Sequence, residues 1–160
     1  MVFTPADYKL PKEGRIMETS TMGKVLVTAK IINLPDLFEA RKGLISEEAV
    51  RSVEVSDALV DTGATYLMMP RRLIAQLGLK SYRTRQANTC GGLVDFPIYE
   101  AVRLIIQGRE YNGDVGEVPD NCPVLIGQVP LEMLDFVVDP KSQRLIGNPA
   151  HGGEHMMDAY

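Results

Sequence analysis

Asp61 is the residue best placed to do chemistry. It stands directly behind the apolar run Ala58-Leu59-Val60 and is followed by Thr62-Gly63-Ala64. A carboxylate at the end of a buried strand loses hydration, so such a placement is costly and seldom incidental. Its natural chemistry is proton transfer, as general acid or general base. Two carboxylates roughly 3 Å apart cannot both ionise, so they share one proton and divide the two roles. Such a pair titrates as a unit. The Asp-Thr-Gly-Ala motif occurs once in this sequence. Two other segments carry glycine punctuation. Leu125-Ile126-Gly127 is an apolar pair closed by glycine, and Thr89-Cys90-Gly91-Gly92 is a turn signal between extended segments, as at a hairpin tip.

In the order of these segments the chain resembles the retroviral-type (retropepsin-like) single-domain aspartic proteases over residues 24–147. That family carries Asp-Thr/Ser-Gly-Ala/Ser after an apolar strand. A glycine-rich flap follows, then a second motif of two apolar residues and glycine. The resemblance implies hydrolysis of peptide bonds by an activated water between two aspartates. With one motif per chain, the second aspartate must come from a symmetric copy, so a homodimer is expected.

On that reading Asp61, Thr62 and Gly63 are catalytic. Gly63 permits the tight turn and lets its N–H approach the carboxylate, and the resemblance gives Thr62 a hydrogen bond to the partner loop. Ala64, Cys90, Gly91, Gly92, Leu93, Val94 and Ile126 are expected to bind substrate. The flap would close over an extended polypeptide, and Leu93, Val94 and Ile126 would supply apolar pockets. Ala64 replaces the serine often present in two-lobed relatives, whose hydroxyl stabilises the ionised aspartate. Without it the dyad should be less acidic, with an optimum at about pH 5–6.5. Gln128-Val129 stands where retroviral relatives have arginine followed by Asp or Asn, so the dimer contacts must differ. The alternative is a non-cleaving, peptide-binding dimer module on the same fold.

Other motifs are weaker. Asp114-Val115-Gly116 lacks an apolar strand before it and Ala or Ser after it, so it reads as an exposed carboxylate. His151-Gly152-Gly153-Glu154-His155 spells an inverted zinc-protease pattern. That pattern needs a helix, which two glycines and Pro149 disfavour. No metal and no cofactor are expected. Cys90 and Cys122 form no disulfide framework.

The elements that must position Asp61 are short strands. Strands are expected over 24–32 and 53–60, hairpins around 89–92 and 107–109, a strand over 123–127, and a final pair around the turn at 139–142. Pro70 and Gly78 bracket a short helix. Residues 34–48 read as a loop insertion with one helical turn near 36–40, and 130–134 as one or two helical turns. The pattern is that of an all-β domain with one short helix, and the resemblance implies that its sheet closes into a retropepsin-like barrel.

The 160 residues suit one domain, read as an N-terminal extension (1–22), a protease domain (23–147) and a C-terminal tail (148–160). A hydrophobic content of 45% is enough for a core. A net charge of −4 and the absence of a basic run argue against nucleic acid as partner. No apolar run approaches the roughly 18 residues of a membrane span. Met1 to Lys12 lacks the apolar core of a signal peptide, so a cytoplasmic location is expected.

Overall fold

Alternation of buried and exposed residues builds a closed sheet. The computed structural model describes residues 24–159, so the expected extension at 1–22 lies outside the described residues. Strand β1 (Leu26–Asn33) turns Ala29 and Ile31 inward and pairs antiparallel with β2 (Ser52–Val60), Ile31 lying opposite Val53. Strand β3 (Leu67–Pro70) is buried throughout. Helix α2 (Arg71–Leu77) follows it and stops at Gly78, whose φ of 66° is the left-handed conformation that glycine adopts without penalty. Strands β4 (Ser81–Thr89) and β5 (Gly92–Ile106) form a long hairpin, and β6 (Arg109–Val118) returns along β5. Strand β7 is only Leu125–Ile126. The strand order β1-β2-β7-β3-β6-β5 closes through β1–β5 pairing into a six-stranded barrel, with β4 extending outward from β5. This is an all-β architecture consistent with the retropepsin-like fold.

The barrel is filled by Ala29, Ile31, Leu67, Met69, Val102, Leu104, Val115 and Ile126. A second buried cluster joins Leu59, Ala64, Met68, Ala87, Phe96, Ile98, Val118 and Leu125. Strands β3 and β7 serve both, because successive side chains point to opposite faces. Leu67 and Met69 face the barrel and Met68 the second cluster. Ile126 and Leu125 divide in the same way.

Two segments hold more structure than the sequence suggested. The expected loop at 34–48 begins with α1 (Leu34–Arg41), a two-turn helix, and includes a short 3-10 turn at Glu47–Ala49. Asn33 ends β1 and caps this helix, its side-chain oxygen accepting from the Asp36 N–H at 2.9 Å. Buried Asp36 then takes two hydrogen bonds from the Arg51 guanidinium, at 2.8 and 2.9 Å. That pair fastens the insertion to the start of β2. Near the C-terminus, α3 (Gln128–Leu134) leads into the separate two-stranded sheet β8 (Phe136–Asp139) and β9 (Arg144–Gly147). In the tail beyond it Asn148 caps a 3-10 turn at Pro149–His151. Arg109 reaches Gly153 O at 2.5 Å and Asp135 O at 2.7 Å, so the tail is docked on the domain.

Candidate active site

Strand β2 delivers Asp61 and β7 receives it. Leu59 N–H donates to Val124 O at 2.8 Å, and Asp61 N–H donates to Ile126 O at 2.9 Å. The chain then turns sharply, Ala64 N–H returning to Asp61 O at 3.1 Å. Within the turn Gly63 N–H donates to Asp61 Oδ1 at 2.9 Å. A Cβ on Gly63 would stand 3.2 Å from that same oxygen, tight enough to disturb the contact. Thr62 and Gly63 are exposed, Asp61 is half-buried, and Ala64 is buried against Leu59, Met68 and Leu125.

Helix α3 locks the turn from below. The first N–H groups of a helix have no partner within it. Here they find the acidic loop: Gln128 N–H donates to Ala64 O at 2.8 Å and Val129 N–H to Thr65 O at 3.0 Å. Gly127 has no side-chain cap to offer. It has another task, since any Cβ there would collide with the carbonyl groups of residues 64–66. The Leu125-Ile126-Gly127 motif thus contributes backbone, not pocket. The Ile126 side chain is wholly buried in the barrel, and its carbonyl oxygen is what holds Asp61.

Partial burial raises the Asp61 carboxyl above the ordinary aspartate value. The backbone N–H groups of Gly63 and Ala64 pull the other way, more weakly. The net effect is a carboxyl that holds its proton more tightly than an ordinary aspartate, a shift in the direction that suits a general acid.

The flap residues gather on one hairpin. Cys90 and Gly91 form its two-residue turn between the paired residues Thr89 and Gly92. Thr89 Oγ1 donates to Gly92 O at 2.7 Å and accepts from Gly91 N–H at 3.1 Å. Gly92 has φ of 109°, a conformation that side chains rarely adopt. Cys90, Leu93 and Val94 are exposed on this projecting tip. Lower down, Ala87 and Phe96 pack in the buried cluster that contains Ala64. Tip and acidic turn are therefore carried by one packed unit.

Some partners escaped the sequence reading. Glu117 accepts from Tyr99 Oη at 2.6 Å and from Arg71 at 2.8 Å, joining β5, β6 and α2. The hydrogen bond to Glu117 pushes the Tyr99 hydroxyl up to about 12. Asp114 is bound to Tyr82 and Arg83 within the sheet, away from any catalytic turn. The two histidines do not converge. His151 Nδ1 lies 2.6 Å from Asp135 Oδ2, and His155 Nε2 lies 3.0 Å from Met133 O. Among the described residues no group of three or more His, Cys, Asp or Glu is placed to hold a metal ion. Nor is any described helix long and apolar enough to cross a membrane.

Residues 49–149 match a protein-family model described as aspartyl protease. The match runs from the end of the 3-10 turn before β2 to the turn after β9. It includes the Asp61 turn, the β4–β5 hairpin and Leu125-Ile126-Gly127. Comparison with curated proteins found no match.

Proposed function

Because the chain belongs to the aspartyl protease family, we propose that it is a retropepsin-like aspartic endopeptidase, active as a homodimer. The observation that carries this reading is Asp61 itself: a half-buried carboxyl with raised proton affinity, held by Gly63 N–H in a turn whose outer residues stay exposed. One chain presents one such acid. Twofold pairing supplies the second, and the two Asp61 carboxyls then share a proton. The ionised member takes a proton from water as that water attacks the scissile carbonyl carbon. The protonated member donates to the carbonyl oxygen. Collapse of the tetrahedral intermediate breaks the C–N bond and returns a proton to the leaving amine.

The substrate is a polypeptide lying extended under the β4–β5 hairpin. Thr89–Val94 from each copy would fold over it and exclude water. Exposed Leu93 and Val94 suit large apolar side chains next to the scissile bond. A cytoplasmic location completes the proposal and rests on the sequence alone.

The test is cleavage of unfolded casein or a peptide library by purified protein, with and without pepstatin, beside Asp61→Asn. Pepstatin-sensitive cleavage that vanishes in the variant is expected. Cleavage retained by Asp61→Asn would refute the assignment. Peptide binding without products would favour the non-cleaving module.

A further inference from the structure

Helix α3 is held at both ends. At its start the N–H groups of Gln128 and Val129 are bonded to the acidic loop, at Ala64 O and Thr65 O. Pro130 comes next and has no N–H, and Leu131 N–H closes the first turn on Gly127 O at 3.2 Å. At its other end, the last carbonyl groups of a helix lack partners within it and carry partial negative charge. Half-buried Arg109, the first residue of β6, supplies them. Its Nη1 donates to Leu134 O at 2.9 Å and to Asp135 O at 2.7 Å, and the guanidinium lies 4.5 Å over the Phe136 ring.

The tail closes this clamp from outside. Arg109 Nη2 donates to Gly153 O at 2.5 Å. A Cβ on Gly147 would stand 2.1 Å from that same oxygen, so the glycine lets the tail approach the guanidinium. Asp135 ends the helix in the left-handed conformation, with φ of 57°. Its buried carboxylate accepts from Asn148 Nδ2 and from Met156 N–H, both at 3.1 Å, and lies 2.6 Å from His151 Nδ1. Leu131 and Leu134 seat α3 on the barrel core. Apolar burial is non-directional and leaves a helix free to slide. The hydrogen bonds at its two ends are what fix its place along its own axis.

We infer, on the endopeptidase reading above, that Arg109 is a positioning residue for the Asp61 loop, acting through α3. The seven residues of α3 make a strut about 10 Å long between the guanidinium and the loop. Asp135 and the tail keep the guanidinium in register. Without Arg109 the carbonyl end of α3 can shift, and Ala64 O and Thr65 O lose donors at fixed positions. The turn carrying Asp61 then loosens. Two effects follow that a mere tail anchor would not produce. A misplaced acid lowers kcat while KM changes little. A looser turn also lets water back to Asp61, whose proton affinity is raised by burial, so the pH optimum moves down.

The experiment compares the full chain as wild type, Arg109→Met, Arg109→Lys and Arg103→Met. Arg103 donates to Asn112 Oδ1 at 3.0 Å on the same β5–β6 hairpin, outside the clamp. Rates are measured across pH per pepstatin-titrated site, and hydrogen exchange of the Gln128 and Val129 amides is followed in parallel. Arg109→Met should lower kcat roughly tenfold or more with KM near wild type. Its pH optimum should move down, and the two amides should lose protection. Arg103→Met should match wild type in all three. Arg109→Lys keeps the charge without the fork and should fall between; it is read alone if Arg109→Met does not fold. A folded Arg109 variant with wild-type kcat, pH optimum and exchange overturns the inference and leaves the endopeptidase standing. Equal changes in Arg103→Met would trace the effect to general stability and overturn it too. A wild type that cleaves nothing refutes the endopeptidase reading instead. Lost protection at Gln128 and Val129 in Arg109→Met would then still support the strut, and unchanged protection would still refute it.

Discussion

A Cβ placed on Gly127 would stand 2.8 Å from the carbonyl oxygen of Ala64, and closer still to that of Tyr66. Both obstacles are backbone and cannot swing aside. The φ of Gly127, near −81°, is open to any residue, so space and not torsion demands the glycine. Gly127→Ala should cost about 1–3 kcal/mol by overpacking. The displaced loop is the one bearing Asp61, so activity should fall with stability. Urea unfolding checks the first effect; wild-type stability in the variant would show that the loop has room to move.

Burial raises the Asp61 carboxyl, so the folded chain binds this proton more tightly than the unfolded chain does. Stability tied to this group therefore declines as pH rises from the ordinary aspartate value through the raised one. Asp61→Asn removes the ionisation, and at pH 7 the variant should melt no lower than wild type while losing cleavage. Melting followed from pH 4 to 7 tests the sign. A variant clearly less stable than wild type at pH 7 would contradict it.

The same displacement bears on the rate profile. Ala64 offers no hydroxyl to the ionised acid, and the backbone donors oppose desolvation only in part. Cleavage should peak at about pH 5–6.5. An optimum near about pH 3, the range of a strongly stabilised aspartate dyad, would mean that further donors reach Asp61.

The tail is pH-linked through Asp135 and His151. The hydrogen bond with His151 holds the Asp135 carboxyl down to about 2, assisted by Met156 N–H and Asn148 and opposed by desolvation. His151 is raised, chiefly by Asp135, and Asp158 also faces its ring at 3.5 Å. Asp135 thus contributes stability above the ordinary carboxylate range, lost as pH falls toward about 2. His151 contributes below the ordinary imidazole range, lost as pH rises through its raised value. Protection of residues 148–158 against hydrogen exchange, relative to the intrinsic rate at each pH, should be highest between about pH 4 and 6.5, and Asp135→Asn should lower the His151 titration toward the ordinary imidazole value by NMR. Unchanged titration in that variant would exclude the contact.

What could be read from the sequence was local. The Asp61 turn, the Cys90-Gly91 hairpin tip and the Gly78 helix stop each follow from residues within one turn of themselves. Gly127 was also legible, although its reason, the carbonyl groups across the loop, was not. Helix α1 was underestimated because Asn33, which fell between the expected strand and the expected insertion, is both the end of a strand and a cap. Strand β5 runs unbroken for 15 residues through Pro97, which pattern alone would split. The docked tail was hidden because its partners, Arg109 and Asp135, act across the fold. For Ile126, alternation could separate it from Leu125 but could not say that its face was the barrel interior.

Subunit mixing tests most directly whether two chains each lend one acid. Wild-type protein at fixed concentration is equilibrated with increasing Asp61→Asn, and cleavage is measured. Mixed dimers carry a single ionisable Asp61, so activity should fall progressively toward zero as the variant comes into excess. Activity that stays constant across the titration, with exchange of subunits confirmed, would show that one chain cleaves on its own.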